Sequence, residues 1–358
     1  MLRVAVVGAG VIGLSVAWRC AARGMDVTVH DPDPRRAAAH VAAGMLAPVT
    51  ELHYGEETLL ALNLDSARRW PGFAAALAAD SGIDPGYVES GTLAVARDPD
   101  DLAALEALRA YQAELGLTAE WLTARQLRRR EPALAPSVRG GLFVAADHQV
   151  ETRRLLTALE AAAVARGARL VSDAPTDATA LAGLAADAVV VAAGWCSPQL
   201  VPGLPVRPVK GQILRLRSTS RSVLPTHVLR GLDVYVVPRH DEVVVGATVE
   251  EAGSDTTVTA GAVHELLRAA WALVPGSAEA ELVECAAGLR PGTPDNAPVI
   301  GAVDERTVVA TGHYRNGVLL APVTADAVAE LLETGAMPDL VASFTPDRFS
   351  TQEVSTCI

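Results

Sequence analysis

The sequence predicts an α/β protein whose parallel sheet is assembled from three separated parts of the chain. Buried-type strands occur near the start (Arg3–Val7), in the middle (Asp187–Gly194) and near the end (Thr307–Thr311). Antiparallel-type strands lie between the last two, at residues 211–216, 233–238 and 242–247. One domain interrupted by a second, α+β domain explains this order better than two domains in series.

The first thirty or so residues predict a βαβ unit. Gly8-Ala-Gly10-Val-Ile-Gly13 follows the first strand, a helix is expected from Leu14 to Arg23, and residues 26–31 alternate as a second strand. The three glycines permit a tight turn, close approach of N–H groups to a pyrophosphate, and close packing of helix on strand. Asp31 follows about 20 residues later, where a carboxylate binds a ribose. The unit therefore predicts a bound dinucleotide.

The remaining elements divide between the two domains. Helices are expected at residues 65–79, 100–115, 122–131, 152–166, 259–273 and 318–333, and further strands at 91–96 and 169–172. We assign to the nucleotide-binding domain residues 1–84, 141–210 and 285–345. We assign to the substrate-binding domain residues 85–140 and 211–284, and to a C-terminal tail residues 346–358.

Composition indicates a soluble, cytoplasmic protein. Hydrophobic residues make up 50% of the 358 residues, and the net charge of −12 argues against nucleic-acid binding. No apolar run approaches the roughly 20 residues of a membrane span, and no signal peptide is recognised. The four cysteines, Cys20, Cys196, Cys285 and Cys357, lie far apart without ligand-like spacing, so we expect reduced thiols and no metal site.

The C-terminal part of the chain favours FAD over NAD. FAD is a long ligand, and a distant C-terminal segment that completes the first domain suits contacts along its whole length. The segment Gly312-His-Tyr-Arg-Asn-Gly317 precedes a helix, whose N-terminal dipole would stabilise negative charge at the flavin C2 carbonyl. The alternative, a glycine-rich turn without a ligand, would need neither Arg315 nor Asn316.

A second motif, residues 287–295, suits a substrate carboxylate. Arg290 stands between glycine and proline turns, which would hold its guanidinium for bidentate pairing. The alternative is a surface arginine paired with Asp295 or Glu284. Tyr235 is a candidate second donor, and the alternative for it is a core tyrosine on a strand.

Six motifs together resemble the glycine oxidase branch of the D-amino-acid oxidase family over nearly the whole chain. They are Ala42-Ala-Gly-Met45-Leu, Pro208-Val-Lys-Gly211, Tyr235-Val-Val-Pro-Arg239, Gly246-Ala-Thr248, Gly288-Leu-Arg-Pro-Gly-Thr293 and Gly312-His-Tyr-Arg-Asn-Gly-Val-Leu-Leu-Ala-Pro322. The resemblance implies a Rossmann-like FAD-binding domain with an inserted α+β substrate domain built on an antiparallel sheet.

The resemblance also implies site residues. The substrate carboxylate would be bound by Arg290 and Tyr235, with Arg315 beside them. FAD contacts are implied at Gly8, Gly10, Val11, Ile12, Gly13, Asp31, Pro32, Ala43, Gly44, Met45, Thr176, His313, Tyr314, Arg315, Asn316, Gly317, Val318 and Leu319.

The chain departs from the family pattern in three places. Residues 38–41 are Ala-Ala-His-Val where relatives often carry Thr or Ser, so contacts there must come from backbone. The segment between Leu170 and Ala188 is short, and the adenine contact at Thr176 depends on it. Some relatives attach flavin through a cysteine near Gly288, but Cys285 is three residues away, so we expect non-covalent FAD.

The implied reaction is oxidation of glycine to iminoacetate, with O₂ reduced to H₂O₂. Catalysis would depend on orientation of the α-carbon, and no catalytic side-chain base is expected. The imine would give glyoxylate or serve as dehydroglycine in thiamin thiazole synthesis, with a thiazole synthase as acceptor. A homo-oligomer, a tetramer by analogy, is implied. The alternatives are a sarcosine or D-amino-acid oxidase, a flavoprotein dehydrogenase with a non-O₂ acceptor, and a non-enzymatic flavin-binding module. Lys210 would either assist O₂ reduction or serve structurally.

Overall fold

A computed structural model describes residues 1–349, so Cys357 and most of the predicted tail lie outside the described residues. Its strands are β1 (Arg3–Val7), β2 (Asp26–His30), β3 (Met45–Leu46), β4 (Tyr87–Val88), β5 (Thr92–Ala96), β6 (Glu120–Thr123), β7 (Gly140–Val144), β8 (His148–Val150), β9 (Arg169–Val171), β10 (Ala188–Val191), β11 (Arg207–Arg217), β12 (Val228–Arg230), β13 (Tyr235–Pro238), β14 (Glu242–Gly246), β15 (Glu281–Gly292), β16 (Val299–Ala302) and β17 (Thr307–Thr311). Its helices are α1 (Val11–Ala22), α2 (Glu57–Ser81), α3 (Pro99–Glu114), α4 (Ala124–Arg130), α5 (Thr152–Ala165), α6 (Ala178–Ala182), α7 (Ser197–Leu200), α8 (Ala260–Leu273) and α9 (Ala321–Thr334).

The first sheet has six strands in the order β16-β17-β10-β1-β2-β9. All neighbours are parallel except β16, which runs antiparallel to β17. The parallel sheet built from the start, middle and end of the chain is thus confirmed. Because the carboxyl ends of parallel strands meet at one edge, the segments after β1, β2, β10 and β17 converge there.

Helices α1, α2, α5 and α9 cover one face of this sheet with a continuous apolar core. Val4 and Val6 of β1 point into it, and Trp18, Trp70 and Phe73 fill it with each at most 1% exposed. Phe73 packs edge-on against both tryptophans. Burial of such aromatic side chains, of order 2–3 kcal/mol each, fixes the helices that carry the site.

The second sheet has eight strands in the order β15-β11-β14-β13-β12-β5-β7-β6. Its pairs are antiparallel except for β12 with β5. Because successive strand residues point to opposite faces, Leu214 and Val245 pack towards α8, whereas Ile213 and Val244 pack against Ala43 of the first domain. The face towards Ala43 carries the candidate substrate residues.

The predicted domain boundaries cut through paired strands. β11 and β15 stay paired from Arg207 opposite Gly292 to Arg217 opposite Glu281, across the divisions at 210/211 and 284/285. β7 pairs with β5 and β6, so residues 141–144 belong to the eight-stranded sheet and not to the first one. The division into two domains stays a prediction, but its boundaries at 210/211 and 284/285 fall inside the long strands β11 and β15.

Three local predictions were wrong. The helix expected over 122–131 is strand β6 followed by the short α4, which begins at the Thr123 cap in a capping box with Gln126. The turns expected around Arg290 are instead part of the 12-residue strand β15. The helix expected from Val318 begins at Ala321, after a 3₁₀ turn at Tyr314–Asn316.

Within residues 1–349, no helix combines the length and apolarity needed to cross a membrane. Over the same residues, no group of three or more His, Cys, Asp or Glu side chains is placed to hold a metal ion.

Candidate active site

The turn between β1 and α1 is shaped to present backbone N–H groups. Gly8 has φ +109°, and a Cβ there would lie 2.4 Å from the Ala192 carbonyl oxygen. A Cβ on Gly13 would lie 1.8 Å from the Gly8 carbonyl oxygen. Gly10 caps α1 without a side-chain hydrogen bond, so the first N–H groups of the helix, at Val11 and Ile12, are left for another acceptor. Such a helix start fits the pyrophosphate of a dinucleotide.

Asp31 follows β2 at the same edge of the sheet. Its carboxylate accepts the N–H groups of Ala9 at 2.6 Å and Asp33 at 2.8 Å, which fixes it beside the phosphate turn with Pro32 adjacent. Ionised carboxylate oxygens accept further hydrogen bonds, so the position fits a ribose hydroxyl. Thr176 lies on an exposed loop after β9, and its adenine contact stays a prediction.

The predicted flavin segment, Ala43 to Met45, packs against the eight-stranded sheet at Ala43 and leads into β3, which pairs with β8 in a small third sheet. Gly44 has φ +72°, and a Cβ there would lie 2.0 Å from the Val150 carbonyl oxygen. Arg239 at the end of β13 donates to the carbonyls of Ala43 and Val150, the latter at 3.1 Å. Burial lowers the pKa of Arg239 to about 10, which leaves it charged at neutral pH. This buried arginine holds the segment against the second sheet.

Arg290 and Tyr235 meet on a floor made by two glycines. A Cβ on Gly211 would lie 2.3 Å from both Nη atoms of Arg290, and one on Gly246 would lie 2.4 Å from the Tyr235 hydroxyl. Only glycine lets the guanidinium and the phenol lie this close to the strands. The sheet therefore brings together the two predicted substrate residues from β13 and β15.

The charges of this pair suit a carboxylate. Within residues 1–349, Arg290 Nη1 donates to the carbonyls of Lys210 at 3.3 Å and Thr248 at 3.1 Å, and Arg290 has no carboxylate partner. Its remaining N–H groups are available to a ligand. Burial raises the pKa of Tyr235, against the opposing charge of Arg290, so the hydroxyl keeps its proton and can donate it.

Arg315 is held by an ion pair with Glu56. Its Nη2 donates to both carboxylate oxygens of Glu56, at 3.2 and 3.1 Å, and Asn296 donates to the same carboxylate at 3.0 Å. Arg315 is thus paired with a carboxylate of the protein itself, and its role beside a substrate carboxylate stays a prediction. Burial, and then the charge of Arg315, lower the pKa of the neighbouring His53, so His53 is neutral at pH 7.

A second ion pair borders Tyr235. Arg230 stands opposite Tyr235 on the neighbouring strand, pairs with Glu51, and donates through Nε to the Thr50 carbonyl at 3.1 Å. Asp147 holds the same turn by accepting the Thr50 N–H at 2.7 Å. Burial raises the pKa of Asp147 to about 6 although hydrogen bonds from Thr50 oppose the shift.

The segment from Gly312 to Leu319 lies at the carboxyl end of β17, and most of its side chains, but not those of Tyr314 and Arg315, are buried. His313 is 2% exposed and its Nε2 lies 3.0 Å from the Thr324 hydroxyl; burial lowers its pKa to about 3. The Leu319 carbonyl accepts hydrogen bonds from Ser66 and Trp70. Any contact of His313 with a flavin must therefore come from its backbone. Contacts at Tyr314, Asn316, Gly317 and Val318 stay predictions.

Lys210 lies on the face of the sheet away from the site. Its Nζ donates to Asp255 at 2.7 Å and lies 3.7 Å from Glu250, and the side chain is 1% exposed. The neighbouring Gln212, on the same face, accepts the Thr259 N–H at the start of α8. The structural alternative for Lys210 fits this placement, and a role in O₂ reduction does not.

Sequence reasoning missed several residues that shape the site. Glu51, Glu56 and Arg230 form its ion pairs, and Arg239 fixes the flavin segment. Arg239 stood inside a recognised motif without an assigned role. The others carry no local signal, because their partners come from distant parts of the chain.

Comparison with known proteins agrees with this geometry. A family model described as DAO, FAD dependent oxidoreductase, matches residues 3–331. The bifunctional protein ThiO/ThiG of Trichormus variabilis is 34% identical over 374 residues, covering 99% of this chain and 56% of that protein, so the chain spans about half the length of such relatives. The putative thiamine biosynthesis oxidoreductase ThiO of Rhizobium etli is 35% identical, covering 93% of this chain and 97% of that protein. The crystal structure of glycine oxidase from Geobacillus kaustophilus superposes with a TM-score of 0.88 at 33% identity, covering 97% of this chain and 99% of that one.

Proposed function

This chain belongs to the DAO family of FAD-dependent oxidoreductases, and from that membership we propose that it oxidises glycine and other small amines such as sarcosine or D-alanine, with O₂ as the electron acceptor. The observation that carries the proposal is the meeting of Arg290 and Tyr235 on the Gly211 and Gly246 floor. This arrangement offers a rigid donor pair sized for one carboxylate, on the sheet face that packs against Ala43.

The described residues fit FAD. The uncapped start of α1 suits the pyrophosphate, Asp31 suits the ribose, and the backbone of Ala43 to Met45 and of residues 312–319 suits the flavin end. Bound FAD supplies the two-electron acceptor for the amine. Cys285 packs with the α8 side of the sheet, away from Tyr235, which supports non-covalent binding.

The substrate is oriented by hydrogen bonds to its acid end. Free N–H groups of Arg290 form charge-assisted bonds to the carboxylate, and the Tyr235 hydroxyl donates a further one. Fixing the carboxylate places the α-carbon in one register, and orientation of this kind lowers a barrier without an acid or base. The neutral amine loses two electrons and two protons to give iminoacetate from glycine, O₂ gains them as H₂O₂, and water converts the imine to glyoxylate and ammonia.

The cellular setting is part of the proposal. The names of two relatives, ThiO/ThiG and thiamine biosynthesis oxidoreductase, support use of the imine as dehydroglycine in thiazole synthesis, with a thiazole synthase as acceptor. Cys20, Cys196 and Cys285 are free thiols, which supports the cytoplasm as compartment. A homotetramer is proposed by family analogy alone.

A peroxide-coupled assay of the purified yellow protein on glycine, sarcosine and D-alanine tests the proposal. We expect turnover with H₂O₂ and glyoxylate formed in equal amounts from glycine. Arg290→Ala should keep its flavin absorbance and lose about 100-fold or more in kcat/KM, because the carboxylate loses its charged partner. Absence of peroxide, with flavin that bleaches and stays bleached in air, would point instead to a dehydrogenase.

A further inference from the structure

The charged side chains near Tyr235 and His53 do not all pair with one another. Five charged side chains surround Tyr235 and His53: Arg290, Arg230, Glu51, Arg315 and Glu56. Arg230 is paired with Glu51, and Arg315 with Glu56, whereas Arg290 has no carboxylate partner among the described residues. His53 is neutral, so the pocket offers one uncompensated positive charge.

The paired Arg230 lies beside Tyr235 on the side away from Arg290. It lies directly opposite Tyr235 on the next strand, so Tyr235 separates it from Arg290, and opposite residues on paired strands have Cβ atoms about 5 Å apart. The side chains of Arg230 and Glu51 are 24% and 14% exposed, so part of each stays accessible. An amine that extends past Tyr235 would therefore meet these two side chains together.

We propose that the ion pair of Glu51 and Arg230 forms an electrically neutral side wall, which restricts the enzyme to amines with one acidic group. In this pair, Glu51 prevents Arg230 from binding a second acidic group of a substrate. This rests on the proposed function, since it specifies the substrate class of the same site. Without Glu51, Arg230 would be a second unpaired guanidinium, and such a group binds carboxylates bidentately.

The geometry favours Glu51 over Glu56 for this role. Arg230 is immobilised by its Nε bond to the Thr50 carbonyl, and the Thr50 turn is fixed by Asp147, so the guanidinium would stay in place if Glu51 lost its charge. Arg315, in contrast, shares Glu56 with Asn296, and its Nε is buried without a hydrogen-bond partner. Removing the charge of Glu56 would therefore disturb two side chains at once.

The test compares Glu51→Gln with the wild-type holoenzyme on matched ligands. Sarcosine and iminodiacetate differ by one carboxylate on the nitrogen substituent. Methoxyacetate and diglycolate are their inert ether counterparts, and titration calorimetry gives the Kd of each. In Glu51→Gln, we expect kcat/KM for iminodiacetate relative to sarcosine to rise by about tenfold. The affinity for diglycolate relative to methoxyacetate should rise by the same factor. About tenfold is the effect of one freed charge at several ångströms in a partly exposed site. The gain should appear in KM.

Three further variants identify the cause. Glu51→Asp keeps the charge and should keep the wild-type ratios. Glu51→Gln with Arg230→Gln restores a neutral wall and should return the ratios to wild type. Glu57→Gln removes a charge at the start of α2, where the carboxylate binds Tyr111 and not Arg230, and should change nothing.

Two results would overturn the inference: unchanged ratios in flavin-loaded Glu51→Gln, or a gain that survives in the double variant. The calorimetric pair needs no turnover. A wild-type protein that binds methoxyacetate but oxidises no amine would refute the proposed function, while the side wall would still be judged by the diglycolate ratio.

Discussion

Replacing Gly211 by alanine should move Arg290, the arginine proposed to bind the substrate, and little else. The added Cβ would lie 2.3 Å from both Nη atoms and 2.4 Å from Cζ of Arg290. Ordinary contacts of a Cβ begin at 3.4 Å, so the guanidinium must retreat by about 1 Å. It can do so because it is the end of a flexible side chain, and Gly211 does not have a left-handed backbone conformation that would strain alanine.

The expected cost falls on catalysis. A displacement of about 1 Å from the productive position reduces rates by about 100-fold, or about 2.7 kcal/mol of transition-state stabilisation. We therefore expect Gly211→Ala to keep its FAD and its melting temperature and to lose about 100-fold in kcat/KM for glycine. Steady-state assays with peroxide detection measure the loss, and flavin absorbance measures cofactor content.

A matched glycine provides the control. Gly72 lies inside α2, and no atom stands within 4 Å of a Cβ added there. Gly72→Ala should retain full activity and gain up to about 1 kcal/mol in stability from helix propensity. If Gly211→Ala, with full flavin content, oxidised glycine as fast as the control, Arg290 would not bind the substrate from its position over this strand.

Two further predictions concern stability. Arg239→Met removes the donors that hold the carbonyls of Ala43 and Val150, so we expect the free energy of unfolding to fall by about 3 kcal/mol and FAD to bind more weakly. Thermal unfolding with and without added FAD measures both effects. Unchanged values would contradict the role of Arg239 in holding these two carbonyls. Burial opposes ionisation of Glu131, but hydrogen bonds from residues 226–227 outweigh it and lower its pKa from 4.5 to about 2. The stabilisation by ionised Glu131 is therefore complete above pH 4.5 and is lost as the pH falls towards 2. In urea unfolding, Glu131→Gln should lower the free energy of unfolding by about 3 kcal/mol at pH 7 and should reduce its fall between pH 4.5 and 2. An equally steep fall in the variant would contradict the assignment.

The parallel strands of the first sheet could be predicted because each carries its own signal, whereas its antiparallel edge strand β16 was missed. The last, Thr307–Thr311, has the predicted bounds, since a β-branched run between polar turns leaves little choice. Strand β15 could not be predicted in the same way. Its Gly-Leu-Arg-Pro-Gly sequence favours turns locally, but eleven residue pairings with β11 override that preference.

Some residues of the candidate site could likewise be predicted from the sequence, and others could not. Arg290 and Tyr235 were predicted from side-chain chemistry and family motifs, and the structure brings them together. The hydrogen bond from Arg230 to the Thr50 carbonyl joins residues 180 positions apart, so no local sequence pattern predicts it. Arg315 was assigned to a ligand from its motif and the family resemblance, and the pairing with Glu56, 259 positions away, has no local sequence signal.

The position of β1 in the middle of its sheet has a consequence for biosynthesis. β1 leaves the ribosome long before β10, so one of its two edges stays unpaired until residues 188–191 emerge, and the sheet gains its last two strands only after residue 311. Pairings between such remote segments slow folding and leave nascent strands open to aggregation. The exposed edge of β1 can therefore mispair during much of the synthesis of residues 1–311, and the sheet is complete only when β17 has formed.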